Sequence, residues 1–114
     1  MITVYGIKNC DTCRKSLKWL KGEGIEYRYH DLRIDGLNRV SLLSWVESVG
    51  WDRLLNRRGT TWRNLPEFEK EGLDETGAVD LMLAHPTLIK RPVFEIGPRV
   101  FIGFSAQEQD VLRD

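Results

Sequence analysis

The sequence is poor in cysteine and proline and has neither an excess of one charge nor a long apolar run. It contains two cysteines and four prolines among 114 residues, too few for a disulfide-stapled scaffold or a proline-rich chain. Its 17 basic residues balance its 17 acidic ones, so the positive field of a nucleic-acid-binding surface is missing and we expect no direct nucleic-acid contact. No apolar run approaches the roughly 20 residues that a membrane-spanning helix requires. We therefore expect an ordinary globular protein that does not interact with a membrane.

The amino terminus also lacks the features of an export signal. Met1 is followed directly by Ile2-Thr3-Val4-Tyr5, without a basic segment, an apolar stretch or a small-residue cleavage site. We therefore expect a cytoplasmic protein. In that reducing compartment, two cysteines three residues apart are more typical of catalysis, redox sensing or metal binding than of a structural disulfide. No heptad pattern or long apolar edge is visible, so we expect a monomer.

Strand and helix signals alternate along the chain. Residues 2–5 predict a strand, residues 11–21 a helix that Gly22 and Gly24 end, and residues 26–30 a second strand parallel to the first. Helical spacing covers residues 40–49, and shorter helices follow near 51–55, 61–65 and 79–84. Residues 92–96 and 99–104 predict a hairpin, and Ser105 and Glu108 a capping box that starts a terminal helix.

The order of these elements is β-α-β, a helical insertion, then β-β-α. This order is typical of an α/β thioredoxin-like fold with a mixed four-stranded sheet. We expect one thioredoxin-like domain over residues 1–114, with the helical insertion at about 38–85 between its two halves.

The segment Cys10-Asp11-Thr12-Cys13 lies at the predicted strand-to-helix turn. Unpaired backbone N–H groups and the helix dipole favour an anion there, and a thiolate is such an anion. Lys8 and Arg14 add positive charge, whereas Asp11 opposes it. We therefore expect a pKa of Cys10 below its ordinary value and interpret Cys10 as a nucleophile.

Cys13 has two interpretations at this point. It shares a helical stripe with Leu17 and Leu20 and should point inward. One helical turn brings the two cysteines within disulfide range, so Cys13 is a candidate resolving thiol, but a small core residue is an equally good reading. A zinc site would need two further ligands from the distant His30 and His85, so we expect no metal.

Three segments of the chain carry a recognisable pattern: residues 2–5 leading to Cys10, the run Leu54-Leu55-Asn56-Arg57-Arg58-Gly59-Thr60-Thr61-Trp62, and the most specific one, His85-Pro86-Thr87-Leu88-Ile89-Lys90-Arg91-Pro92. Together they resemble the family of glutaredoxin-coupled arsenate reductases and Spx-type regulators, most closely its small Yffb-type branch. The resemblance covers nearly the whole chain. It implies that Cys10 is the nucleophile, that Arg58 and Arg91 bind an oxyanion, and that Pro92 is cis beside the cysteine.

Two departures from the family pattern bear on arsenate chemistry. The arsenate reductases carry a third arginine where this chain has Gly103, and a histidine where it has Gly6. An arsenate trianion would lose a cationic partner, and the cysteine would lose a proton-transfer neighbour. For Arg58, a solvated basic pair with Arg57 is the alternative to a site role.

The sequence thus predicts a glutathione-dependent thiol/disulfide reductase that acts through the Cys10 thiolate. Glutathione is a co-substrate inferred from the family, no cofactor is expected to stay bound, and glutaredoxin is a candidate partner. The expected glutathione or substrate contacts are Lys8, Asn9, Arg58, Arg91 and Pro92. The alternatives are an arsenate reductase, an Spx-like redox-sensing regulator that binds RNA polymerase, and an inert domain in which Cys10 only caps a helix.

Overall fold

A computed structural model describes all 114 residues, which form two compact units. The first unit comprises Met1–Gly36 and Arg91–Asp114, and the second comprises Leu37–Lys90. The first unit contains strands β1 (Ile2–Gly6) and β2 (Tyr27–Asp31), helix α1 (Asp11–Gly22), the hairpin of strands β3 (Val93–Ile96) and β4 (Arg99–Ile102), and helix α7 (Ala106–Arg113). No helix of the chain has the length and apolar character needed to cross a bilayer.

The four strands form one mixed sheet in the order β2-β1-β3-β4. β1 and β2 run parallel, with Ile2 opposite Tyr27 and Gly6 opposite Asp31. β3 is antiparallel to both β1 and β4. This topology confirms the predicted thioredoxin-like α/β fold. It also places the carboxyl ends of β1 and β2 side by side, which is the edge where sites form in parallel sheets.

The core of the first unit lies between the sheet and its two helices. Its fully or nearly buried members are Ile2, Val4, Leu20, Phe94 and Leu112. Each such side chain stabilises the fold by roughly 1.5–3 kcal/mol through removal of its apolar surface from water. This packing holds α1 against β1 and so fixes the start of α1 relative to the end of β1.

The hairpin and the last helix follow their local signals. Gly97 takes the turn between β3 and β4 with φ +58°. Ser105 and Glu108 form the predicted capping box at the start of α7. The strand predicted over 99–104 ends at Ile102, because Gly103 has φ +90°, a left-handed conformation that breaks the strand.

The second unit contains no strand. It consists of helices α2 (Arg39–Val49), α3 (Trp51–Leu54), α4 (Thr60–Asn64), α5 (Glu67–Lys70) and α6 (Glu75–Ala84), followed by a 3-10 turn (Pro86–Leu88). Asn38 and Asp74 cap α2 and α6 through backbone N–H groups of Ser41 and Gly77. Leu54, Met82 and other apolar side chains are completely buried. The sequence predicted every helix here except α5, and it missed the 3-10 turn.

Candidate active site

Cys10 lies at the junction between the sheet and α1. Its backbone N–H donates to the Ile7 carbonyl at 3.3 Å, and its own carbonyl accepts from the Arg14 N–H at 3.0 Å. Cys10 is the N-cap of α1 with extended backbone angles, φ −107° and ψ 117°. Its side chain is half-buried. The predicted position of this thiol, at the first turn of the helix, is therefore the observed one.

Two neighbouring residues, Cys13 and Arg91, stabilise the charged form of Cys10. The Cys13 thiol, the Cys13 backbone N–H and the Arg91 guanidinium, in that order, lower its pKa to about 5, against the opposing effect of partial burial. The lowered pKa agrees with the sequence expectation, but the main cause is the Cys13 thiol. Arg14 instead forms an ion pair with Asp11 along the exposed side of α1. At neutral pH the Cys10 side chain is a thiolate.

Cys13 is buried and also hydrogen-bonded to Cys10. Its side chain is only 1% exposed. The hydrogen bond to Cys10 and burial both raise its pKa above the ordinary range. The shared proton therefore stays on Cys13 while Cys10 carries the charge. The geometry suits a resolving thiol, because the sulfur that would attack already touches the sulfur that would be attacked.

Gly6 explains how Cys13 reaches this position. A Cβ added at Gly6 would lie 2.6 Å from the Cys13 sulfur, closer than any real side chain packs, and 3.6 Å from the Tyr29 ring. The Cys13 thiol thus occupies the space that a side chain at position 6 would need. Burial, Asp31 and Cys13 raise the pKa of Tyr29 to about 12, so this neighbour remains a neutral phenol.

Arg91 and Pro92 enter the site from the start of β3. The Arg91-Pro92 peptide bond is cis, as the resemblance implies. The sheet register pairs Tyr5 of β1 with Val93 of β3, so residues 91 and 92 lie beside the turn that carries Cys10. Arg91 is the one predicted site arginine that the structure brings to the sulfur.

Arg58 belongs to the second unit and is exposed. Its backbone N–H donates to the Asn56 side chain at 3.0 Å, and its guanidinium forms no salt bridge. Arg57, in contrast, pairs with Asp52 at 2.8 Å and lies over the Trp51 ring. Arg57 is therefore a structural residue, and the site role of Arg58 stays a prediction.

Lys8 and Asn9 line a cavity of about 370 Å³ that also includes Asp31, Arg33 and Ile34. Sequence reasoning missed the last three residues. The pairing of the two parallel strands indicates this cavity, since Gly6 at the end of β1 lies opposite Asp31 at the end of β2. Lys8 and Arg33 each follow their strand by two residues, so they reach the same edge of the sheet.

The position aligned with the arsenate reductases' third arginine is structurally reserved for glycine. Gly103 has φ +90°, and its backbone N–H donates to the Pro92 carbonyl at 2.9 Å. A Cβ there would also approach the Glu108 carboxylate at 3.3 Å. An arginine at position 103 would therefore be strained.

His30 and His85, the two further ligands that a zinc site would need, are not placed together with the cysteines. The His30 ring packs against the Tyr5 ring, with centroids 4.9 Å apart and planes tilted by 48°, and one of its nitrogens lies 2.6 Å from the Gly36 carbonyl. His85 is in the second unit, at the end of α6. No group of three or more His, Cys, Asp or Glu side chains is arranged to hold a metal.

A thioredoxin-like sheet with a reactive thiol pair at the start of its first helix defines the class of thiol-redox proteins. The ArsC family model matches residues 5–111. The chain therefore belongs to the ArsC family.

Relatives and solved structures extend this assignment over the whole chain. An uncharacterized protein of Haemophilus influenzae is 51% identical over 95% of both chains. A solved structure described as the YFFB protein has a TM-score of 0.93, with 43% identity over 98% of each chain. A global transcriptional regulator Spx of Streptococcus pyogenes is 29% identical over 95% of this chain and 81% of its own length.

Proposed function

We propose that this protein is a glutathione-dependent thiol/disulfide reductase and that Cys10 is its nucleophile. One observation carries the proposal: the Cys10 sulfur, half-exposed at the start of α1, has a pKa of about 5 because Cys13 and Arg91 donate to it. Only the thiolate attacks disulfides, and here it is the resting form at neutral pH. Stabilisation of the charged form by Cys13 and Arg91 favours a nucleophile over a thiol that only caps the helix.

The reaction begins with attack of the Cys10 thiolate on one sulfur of a disulfide substrate. The new sulfur–sulfur bond forms as the old one breaks, and the other sulfur leaves with the electron pair as a thiolate. Glutathione thiolate then attacks the mixed disulfide on Cys10, which frees the enzyme. In the dithiol route Cys13 loses its proton and attacks instead, which gives a Cys10–Cys13 disulfide that two glutathione molecules reduce.

Arg91 serves this reaction in two ways. Its guanidinium holds the resting thiolate, and it is placed to stabilise the same sulfur when it leaves as a thiolate in the release step. Arg58 is proposed to bind a carboxylate of glutathione or of the substrate. Pro92 presents the backbone beside Cys10 to an extended thiol peptide.

Glutathione is a co-substrate in this proposal, and no cofactor is held between turnovers. Glutaredoxin is a candidate partner that would replace glutathione in the release step. The reducing cytoplasm is the location that such a reaction requires, and a monomer suffices for it.

A turnover assay tests the proposal. Hydroxyethyl disulfide and reduced glutathione are supplied, and glutathione oxidation is followed through glutathione reductase. We expect turnover with the wild type and none with Cys10→Ser. Lys18→Gln, which removes an exposed charge elsewhere on α1, serves as the matched control. Equal rates for the wild type and Cys10→Ser would overturn the proposal.

The Spx-like regulator is the second candidate, and the similarity to Spx over 95% of this chain favours it. In that function, oxidation of Cys10 and Cys13 would change binding to RNA polymerase. Purified polymerase is mixed with the protein under reducing and oxidising conditions and separated by size. A stoichiometric complex in either state would favour the regulator, whereas separate peaks in both would favour the enzyme.

Arsenate reduction is the third candidate, and the backbone at Gly103 argues against it. Arsenate added to the turnover assay in place of the disulfide should therefore give no glutathione oxidation above background.

A further inference from the structure

The cavity beside the thiol turn has a surplus of positive charge. Lys8 and Arg33 are exposed at its wall, and neither takes part in a salt bridge. Two cations without ion pairs at one cavity favour an anionic ligand.

Asp31, the one acidic residue of the wall, is occupied in holding the cavity together. Its side chain is 4% exposed, and one oxygen accepts the N–H groups of Arg33 and Ile34 at 2.8 and 3.0 Å. The other accepts the Tyr29 hydroxyl at 3.3 Å. Although burial opposes it, these bonds lower the pKa of Asp31. The carboxylate therefore shapes the loop that presents Arg33, and the wall retains one net positive charge.

The cavity is close to Cys10 along the chain. Asn9 directly precedes Cys10, and Lys8 is two residues away, so the Cα atoms of Lys8 and Cys10 are within about 7.6 Å. A volume of about 370 Å³ lies at the lower end of small-molecule sites. It accommodates one arm of a small thiol compound. Ile34, which is 73% exposed, offers an apolar surface for the stem of that arm.

We propose that this Lys8–Arg33 cavity binds a carboxylate of the glutathione molecule that reacts at Cys10, and so makes the enzyme selective for acidic thiols. The inference rests on the proposed function and adds the residues that choose the substrate. Arg33 supplies a forked donor that matches a carboxylate, and Lys8 adds a second charge beside it. An uncharged disulfide would react at the same sulfur without this contact.

The experiment compares two disulfides on the reduced protein at pH 7.5, where the Cys10 thiolate is fully formed whether or not a nearby charge is removed. Rate constants for the loss of reduced protein, counted as adduct plus Cys10–Cys13 disulfide, are measured by intact mass with oxidised glutathione and with uncharged hydroxyethyl disulfide. Their ratio is the selectivity for the acidic disulfide. The variants are Lys8→Gln, Arg33→Gln and the charge-preserving Arg33→Lys, with Lys18→Gln as the control.

We expect the ratio to fall about fivefold in Lys8→Gln and in Arg33→Gln, because each loses one charge-assisted contact. Arg33→Lys should keep most of the ratio, and Lys18→Gln all of it. A ratio unchanged in Arg33→Gln would overturn the inference, while formation of an adduct or an internal disulfide by the wild type would still support the proposed function. Absence of any reaction at wild-type Cys10, either as an adduct or as a Cys10–Cys13 disulfide, would overturn the proposed function and this inference with it.

Discussion

Replacement of Cys13 by alanine should raise the pKa of Cys10, because the Cys13 thiol is its leading stabilising donor. A hydrogen bond to a charged group contributes about 1.5–3 kcal/mol, which corresponds to about one to two pKa units. The pKa of about 5 in the wild type should therefore become about 6–7 in Cys13→Ala. At pH 6 the thiolate fraction would fall from about 90% to between about 50% and 10%.

The assay is ultraviolet thiolate absorbance against pH, which reports Cys10 alone in Cys13→Ala. Alkylation by iodoacetamide gives a second readout with a change of sign. At pH 5 the variant should react more slowly, because fewer molecules carry a thiolate. At pH 8 it should react roughly three- to eightfold faster, since a more basic thiolate is a better nucleophile.

The serine variant separates hydrogen bonding from packing. Cys13→Ser retains a donor at the same position, so its midpoint should lie below that of Cys13→Ala. A midpoint that stays near 5 in Cys13→Ala would refute the assignment of the Cys13 thiol as the main stabilising group.

Three further predictions concern stability. Gly6→Ala should cost about 1–3 kcal/mol in denaturant unfolding because its Cβ would meet the Cys13 sulfur at 2.6 Å; Gly22→Ala, with open space around it, should cost nothing. The Cys10 thiolate should make the reduced wild type gain stability relative to Cys10→Ser as pH rises from about 5 to about 8.5, since the unfolded thiol binds a proton that the folded one lacks; a difference that is constant with pH would contradict this. Ser105→Ala should lower the free energy of unfolding by about 1 kcal/mol, and with it the melting temperature, because the cap of α7 is lost. An unchanged melting temperature would contradict a stabilising role of this cap.

Local signals were sufficient to predict much of the fold from the sequence. The strand over 2–5, the helix that begins at Asp11 and the Ser105 cap all follow from adjacent residues, and all are observed. Helix α5 has Phe68 as its single apolar residue, so no apolar spacing marks it, whereas the equally short α3 begins at Trp51 and ends at Leu54. The 3-10 turn, Pro86–Leu88, has only three residues and likewise shows no period.

The site was predicted as far as the chain neighbours of Cys10 determine it. Its position at the start of α1 follows from the strand–turn–helix order. The approach of Cys13 to Gly6 depends on how α1 packs on β1, and the Lys8–Arg33 cavity depends on the pairing of Gly6 with Asp31. These contacts join residues that are distant in sequence, so no local pattern contains them.

The most direct test of the account is the intact mass of the protein after brief treatment with oxidised glutathione, for the wild type, Cys10→Ser and Cys13→Ser at pH 6 to 8. We expect a single glutathione adduct that accumulates in Cys13→Ser, is absent in Cys10→Ser, and gives way to an internal disulfide in the wild type. Absence of both adduct and disulfide in every variant at neutral pH would contradict the claim that Cys10 is an activated nucleophile.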